Sequence, residues 1–101
     1  MKEKDYPLRL TQVDKIRVLF KQNRGIIQHF VVQYYALING SWRTIMRIDT
    51  CHGYAHKHTF HAKDKEHVIR LPGDLNDVFT ESRSFILQNY LKIKENYLRA
   101  K

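Results

Sequence analysis

Cysteine occurs once in this 101-residue chain, at Cys51, so no intrachain disulfide can form. Zinc sites built from several cysteines are excluded for the same reason. This usage fits a reducing compartment, and the expectation is a cytoplasmic protein. No apolar run approaches the roughly 18 residues of a membrane span. Behind Met1-Lys-Glu-Lys-Asp5 there is no apolar signal core. Internal repeats, low-complexity tracts and linkers are also missing, so residues 1–101 read as a single domain. Acidic residues are few beside basic ones, 10 Asp and Glu against 18 Lys and Arg, which gives a formal charge of +8 and a pI near 9.8. Such a field attracts polyanions, and nucleic acid is the commonest large one in a cell. Hydrophobic residues supply 43% and aromatics 12%, enough for a modest core and too many for a disordered chain.

Residues 1–12 are polar and read as an arm or edge segment. Ile16, Val18 and Phe20 alternate with Lys15 and Arg17, the period of a strand. Gln22-Asn-Arg-Gly25 reads as a turn. Ile26 to Ile38 is rich in Val, Ile, Tyr and Phe, as strands are. Asn39-Gly40 then marks a type I′ hairpin, and Ser41 to Asp49 returns antiparallel. An unbroken register from that turn pairs Leu37 with Trp42, Tyr35 with Thr44, Gln33 with Met46 and Val31 with Ile48 on one largely apolar face. It places Ala36 with Arg43, Tyr34 with Ile45, Val32 with Arg47 and Phe30 with Asp49 on the other. A one-residue slip would reverse this assignment. Tyr54 to Ala62 and Lys65 to Leu71 suggest a further hairpin around Lys63-Asp64. In its first strand His56, His58 and Phe60 share one face, and Lys57, Thr59 and His61 the other. After Pro72-Gly73, Asp74 is a helix N-cap, and apolar residues from Leu75 to Tyr97 follow helical spacing to about Leu98. The fold class is therefore α+β: an antiparallel meander of four to five strands with one long C-terminal helix across its apolar face.

Five of the six histidines fall between positions 52 and 67, in a stretch that begins Asp49-Thr-Cys-His-Gly-Tyr-Ala-His-Lys-His-Thr-Phe-His61. Imidazole changes charge near neutral pH, binds metals and moves protons, and three readings of the cluster stay open. In the first, His52, His56 and His58 act as general acid and base across a phosphodiester, with Asp49 orienting a ring. Arg43, Arg47 and Lys57 then hold the phosphate. That is metal-free ribonuclease chemistry, with the RNA 2′-hydroxyl as nucleophile and no cofactor. In the second, His56 and His58 with His61, or with His52 or His67, take a zinc ion. In the third, the histidines are ordinary strand residues of a binding module that does no chemistry. Asp49 reads equally as a turn-forming aspartate bonded to its own backbone. Cys51 beside His52 does not make a nucleophile–base pair, because adjacent strand residues point to opposite sides. Among the aromatics, Tyr35 and Trp42 read as core. Tyr34, on the arginine face, is the candidate for stacking on a base. The helix cations Arg83, Lys92, Lys94 and Arg99 read as an outward-facing strip.

The segment from Trp42 to His58, followed by a helix ending Asn96-Tyr-Leu-Arg99, resembles a family of small uncharacterised archaeal and bacterial proteins. The shared core is Arg-x-Asp-x-x-His-Gly-x-x-His, here Arg47, Asp49, His52, Gly53 and His56. More loosely, residues 42–61 are similar to the TumE group of toxins in toxin–antitoxin pairs. That likeness implies a small endoribonuclease with an antitoxin protein as partner. Taken together, the expectation is a basic, RNA-directed protein, with a non-catalytic nucleic-acid-binding module and a histidine-based metal-binding or protein-interaction domain as alternatives. A homodimer joined at an exposed strand edge fits the last of these.

Overall fold

The computed structural model describes residues 1–51, 53–61 and 66–99, with Cys51 in its backbone only. His52 and the expected turn at Lys63-Asp64 lie outside the described residues. Six strands, β1 (Lys2–Thr11), β2 (Asp14–Asn23), β3 (Ile26–Ile38), β4 (Ser41–Cys51), β5 (Tyr54–Thr59) and β6 (His67–Leu71), form one antiparallel sheet in sequence order. The helix α1 (Leu75–Arg99) follows. The α+β class stands, and the strand count exceeds expectation because the N-terminal segment pairs along β2 as an edge strand. Its lysines and Pro7 blunt an edge that would otherwise invite pairing with another chain.

Two hairpins close in the same way. Arg24 and Asn39 take φ of 52°, and Gly25 and Gly40 follow at 80°, the paired positive values of a type I′ turn. The turn at Asn39-Gly40 sets Ile38 against Ser41, Leu37 against Trp42, Ala36 against Arg43 and Tyr35 against Thr44, as expected. The register then shifts. Tyr34 faces Met46, Gln33 faces Arg47, Val32 faces Ile48 and Val31 faces Asp49, which leaves Ile45 as the extra residue of a β-bulge.

This bulge reverses the expected faces. An unbroken ladder would put the apolar row Phe30, Val32, Tyr34 and Ala36 opposite Arg47 and Asp49. With one residue inserted, that row shares a face with Met46 and Ile48, and all six are buried. Ile45 is buried as well. Tyr34, expected on the arginine face, is 0% exposed. Trp42, expected in the core, is 37% exposed on the opposite face, and Tyr35 beside it is half-buried.

Helix α1 lies on the apolar face, chiefly over β3, and buries Val78, Phe79, Ser82, Ile86, Ile93 and Tyr97. Phe79 packs between Phe20 and Phe30, with ring centroids 5.2 and 5.3 Å away. Asp74 caps the helix, its Oδ2 accepting from the backbone N–H of Asn76 at 3.1 Å and of Asp77 at 3.3 Å. The Asn76 side chain accepts from Ile27 N and donates to the Gly25 carbonyl, 2.8 Å each, so the helix start is tied to the β2–β3 turn. Two helix cations expected to face solvent turn inward. Arg83 donates to the Tyr6 hydroxyl, and Lys94 reaches the buried carboxylate of Asp14.

Asp14 is the most buried charge among the described residues, at 1% exposure. Its oxygens accept from Thr11 Oγ1 and the Tyr34 hydroxyl at 2.6 Å each, and from Lys94 Nζ at 2.8 Å. Burial pushes this carboxyl up, but the bonds from Lys94, Thr11 and Tyr34 and the Lys94 charge prevail and hold it below the usual carboxylate range. The Tyr34 phenol is pushed far up by burial and by its bond to the Asp14 carboxylate, so it stays a donor. Strands β2 and β3 and helix α1 are pinned together at this point.

Candidate functional site

The sheet face away from α1 carries His56 and His58. β5 runs beside β4 so that Asp49 faces His56 and Arg47 faces His58. Across the diagonal, His58 Nε2 lies 3.2 Å from Asp49 Oδ1. The other carboxylate oxygen, Oδ2, accepts from Arg47 Nε at 2.8 Å. Glu66, just ahead of β6, brings Oε1 to 2.5 Å from His58 Nδ1. Both ring nitrogens of His58 thus face carboxylate oxygens, and only the doubly protonated imidazole donates to both. The side chains of His58 and Asp49 are 17% and 19% exposed, while Arg47 and Glu66, at 34% and 40%, border them on the solvent side.

His56 is the next residue along this face. Its ring centroid lies 6.3 Å from that of His58 and 4.8 Å from that of Tyr54. The Arg70 guanidinium stands over the Tyr54 ring at 4.1 Å and belongs to the residue facing His56 on β6. The face therefore holds two imidazoles one strand pleat apart, a carboxylate bonded to one of them, and guanidinium groups at both ends.

The other expected residues are placed elsewhere. Tyr34 is sealed under α1 and bonded to Asp14, so it cannot stack on a base. Arg43 faces Ala36, which puts it on the helix side of the bulge and separates it from Arg47. Lys57 faces Ile48, and its Nζ lies 5.4 Å from the Phe85 ring of α1, again on the far side from His56 and His58. His61 meets His67 edge to face, at 5.0 Å between ring centroids. Among the described residues, no three His, Cys, Asp or Glu side chains are grouped so as to hold a metal ion, and His56, His58 and His61 are not gathered into one. Glu66, Tyr54 and Arg70 were missed. Once β5 and β6 are paired, alternation puts Arg70 opposite His56 and Val68 opposite His58. Glu66 lies two residues before Val68.

A second feature occupies the same face nearer β1. Lys15 Nζ lies 4.2 Å from the Trp42 ring centroid and 5.5 Å from that of Tyr35. These three side chains line a shallow groove of about 380 Å³ with Asp5, Pro7 and Arg17. Arg17 is engaged by Asp5 through two bonds of 3.0 and 2.7 Å, which holds the Asp5 carboxyl below its ordinary range.

A family described as a domain of unknown function, DUF7718, matches residues 1–101. The chain belongs to that family. No curated protein and no solved structure matches the chain. Among the described residues, no helix of this DUF7718 protein is long and apolar enough to cross a membrane.

Proposed function

We propose that this DUF7718 protein is an RNA-directed protein that cleaves its substrate through the helix-free face of the sheet, with His56 and His58 moving the protons. One observation carries the reading: Arg47, Asp49 and His58 are bonded in a line on an uncovered face of a chain of charge +8, with the His56 ring 6.3 Å from His58. His56 takes the proton of an RNA 2′-hydroxyl, and the freed oxygen attacks the adjacent phosphorus. The bond from phosphorus to the 5′-oxygen breaks, and that oxygen receives a proton from His58. The products are a 2′,3′-cyclic phosphate and a 5′-hydroxyl. Asp49 keeps the His58 ring oriented, and Arg47 faces the phosphoryl oxygens. Glu66 is an anionic acceptor at the edge of the site, and the substrate phosphate takes its place at Nδ1. The chemistry calls for no nucleophilic side chain.

The test is cleavage of labelled RNA by untagged protein in the presence of chelator. His58→Ala and His56→Ala are each expected to lower the rate about 10²–10⁴-fold. Full activity in both variants would remove the proposed chemistry. A second reading, a non-catalytic nucleic-acid-binding module, is favoured by the engagement of both His58 nitrogens by carboxylates. It requires salt-sensitive RNA binding that survives both histidine substitutions and weakens on loss of Arg47 or Arg70. The likeness to TumE toxins adds an antitoxin as partner. An adjacent gene for a small DNA-binding protein whose product co-purifies and blocks cleavage would support that partner, and free activity in its presence would dismiss it.

A further inference from the structure

We infer that Trp42, Tyr35 and Lys15 form a nucleobase-stacking subsite for single-stranded RNA, next to the histidine site and on the same sheet face. The inference rests on the RNA-directed reading above and extends it to residues that reading does not use. Trp42 is a large aromatic left 37% exposed on the open sheet face, beside the half-buried Tyr35. The nearest cation, Lys15, covers the rings of Trp42 and Tyr35, and among the described residues it has no carboxylate partner. Arg17, two residues on, is held by Asp5. An aromatic pair with a free ammonium group over it matches a base and its phosphate: the base stacks on the indole, and the long lysine side chain swings to the phosphate oxygen.

The position fits the histidine site as well. Trp42 faces Leu37 and Arg47 faces Gln33, four residues apart on β3 and about 13 Å along the strand. From Gln33 the ladder steps to Arg47 and then to His58, each step about 4.8 Å. An RNA strand whose base rests on Trp42 can therefore place the phosphate of a nucleotide beyond its immediate neighbour at Arg47 and His58. Stacking of this kind tolerates any base, so the subsite would position RNA without reading its sequence.

Trp42 is the sole tryptophan, so its emission reports this subsite alone. The emission is titrated with oligo(A), and with inorganic polyphosphate as an anion without bases. Affinity is measured in parallel by anisotropy of labelled oligo(A) for the wild type, Trp42→Ala, Trp42→Phe and Lys15→Ala, with circular dichroism to verify folding. Oligo(A) is expected to quench Trp42 and polyphosphate to leave it bright. Trp42→Ala should bind about tenfold more weakly, while Trp42→Phe keeps most of the affinity. Salt-sensitive binding of oligo(A) without quenching, equal quenching by polyphosphate, or wild-type affinity in Trp42→Ala would each overturn the subsite while leaving the RNA-directed reading standing. Absence of any RNA binding would overturn both.

Discussion

Replacing Lys94 with Met should cost the fold about 2–3 kcal/mol, with a cost that fades in acid. Asp14 is 1% exposed, and Lys94 is the one cation bonded to it among the described residues. Removing one partner of a buried ion pair typically costs about 3–5 kcal/mol, because the remaining charge stays buried. The Lys94 side chain is 19% exposed, so water reaches part of the pair and the lower figure applies. At an m-value of about 1–1.5 kcal/mol per molar urea, the unfolding midpoint falls by roughly 2 M. The pH dependence separates this cause from a simple loss of packing. The folded Asp14 carboxyl sits below its ordinary value of about 3.9, so the stability it contributes is present above that value. This contribution is lost as pH falls through the lower folded value. Protonated Asp14 has no charge to leave unpaired, so the gap between wild type and variant should narrow as pH drops below about 4. The double variant Asp14→Asn, Lys94→Met should recover part of the loss, since neither partner is then a buried ion. The assay is urea unfolding followed by circular dichroism at several pH values. A midpoint shift of under about 0.5 M, or a gap that stays constant through the acid range, would refute the reasoning.

Other substitutions test separate parts of the molecule. Ile86 is fully buried on α1, so Ile86→Ala should lower stability by about 2–5 kcal/mol in the same unfolding assay. Gly40→Ala meets no atom within 4 Å of its new Cβ, so any loss, expected near 1 kcal/mol, comes from the φ of 80° alone. Asp49→Asn removes the carboxylate from both Arg47 and His58; RNA cleavage should fall at least tenfold while the urea midpoint moves little, and unchanged cleavage would take Asp49 out of the site. Deleting Ile45 removes the extra residue and keeps Tyr34 against Met46, Gln33 against Arg47 and Val32 against Ile48 in an even ladder; the variant should still unfold cooperatively, weakened by about 2–5 kcal/mol for the lost buried side chain, and loss of the cooperative transition would mean that the faces depend on more than this one residue.

Local signals carried much of the architecture. Positive φ at Asn39 and Gly40, the alternation in β2 and β3, the cap at Asp74 and the apolar stripe of α1 each depend on residues within a few positions of one another. The pairing of Asp49 with a histidine was also within reach, because both belong to neighbouring strands of one meander. Which face each side chain occupies was not. It follows from one inserted residue, Ile45, whose cost and benefit appear only when β3, β4 and α1 compete for the same apolar surface. Lys94 and Arg83 read as solvent-facing because their partners, Asp14 and Tyr6, are about eighty residues away in sequence.

Composition and short-range pattern by themselves determined a basic α+β chain with a hairpin at Asn39-Gly40, a C-terminal helix and a histidine-rich stretch. Tertiary structure alone decided that Tyr34 is a buried anchor and Trp42 an exposed ring, and that His58 sits between Asp49 and Glu66. The reason is the parity of a strand: a single extra residue moves every later side chain to the other face, and only the burial of the whole core selects where that residue goes.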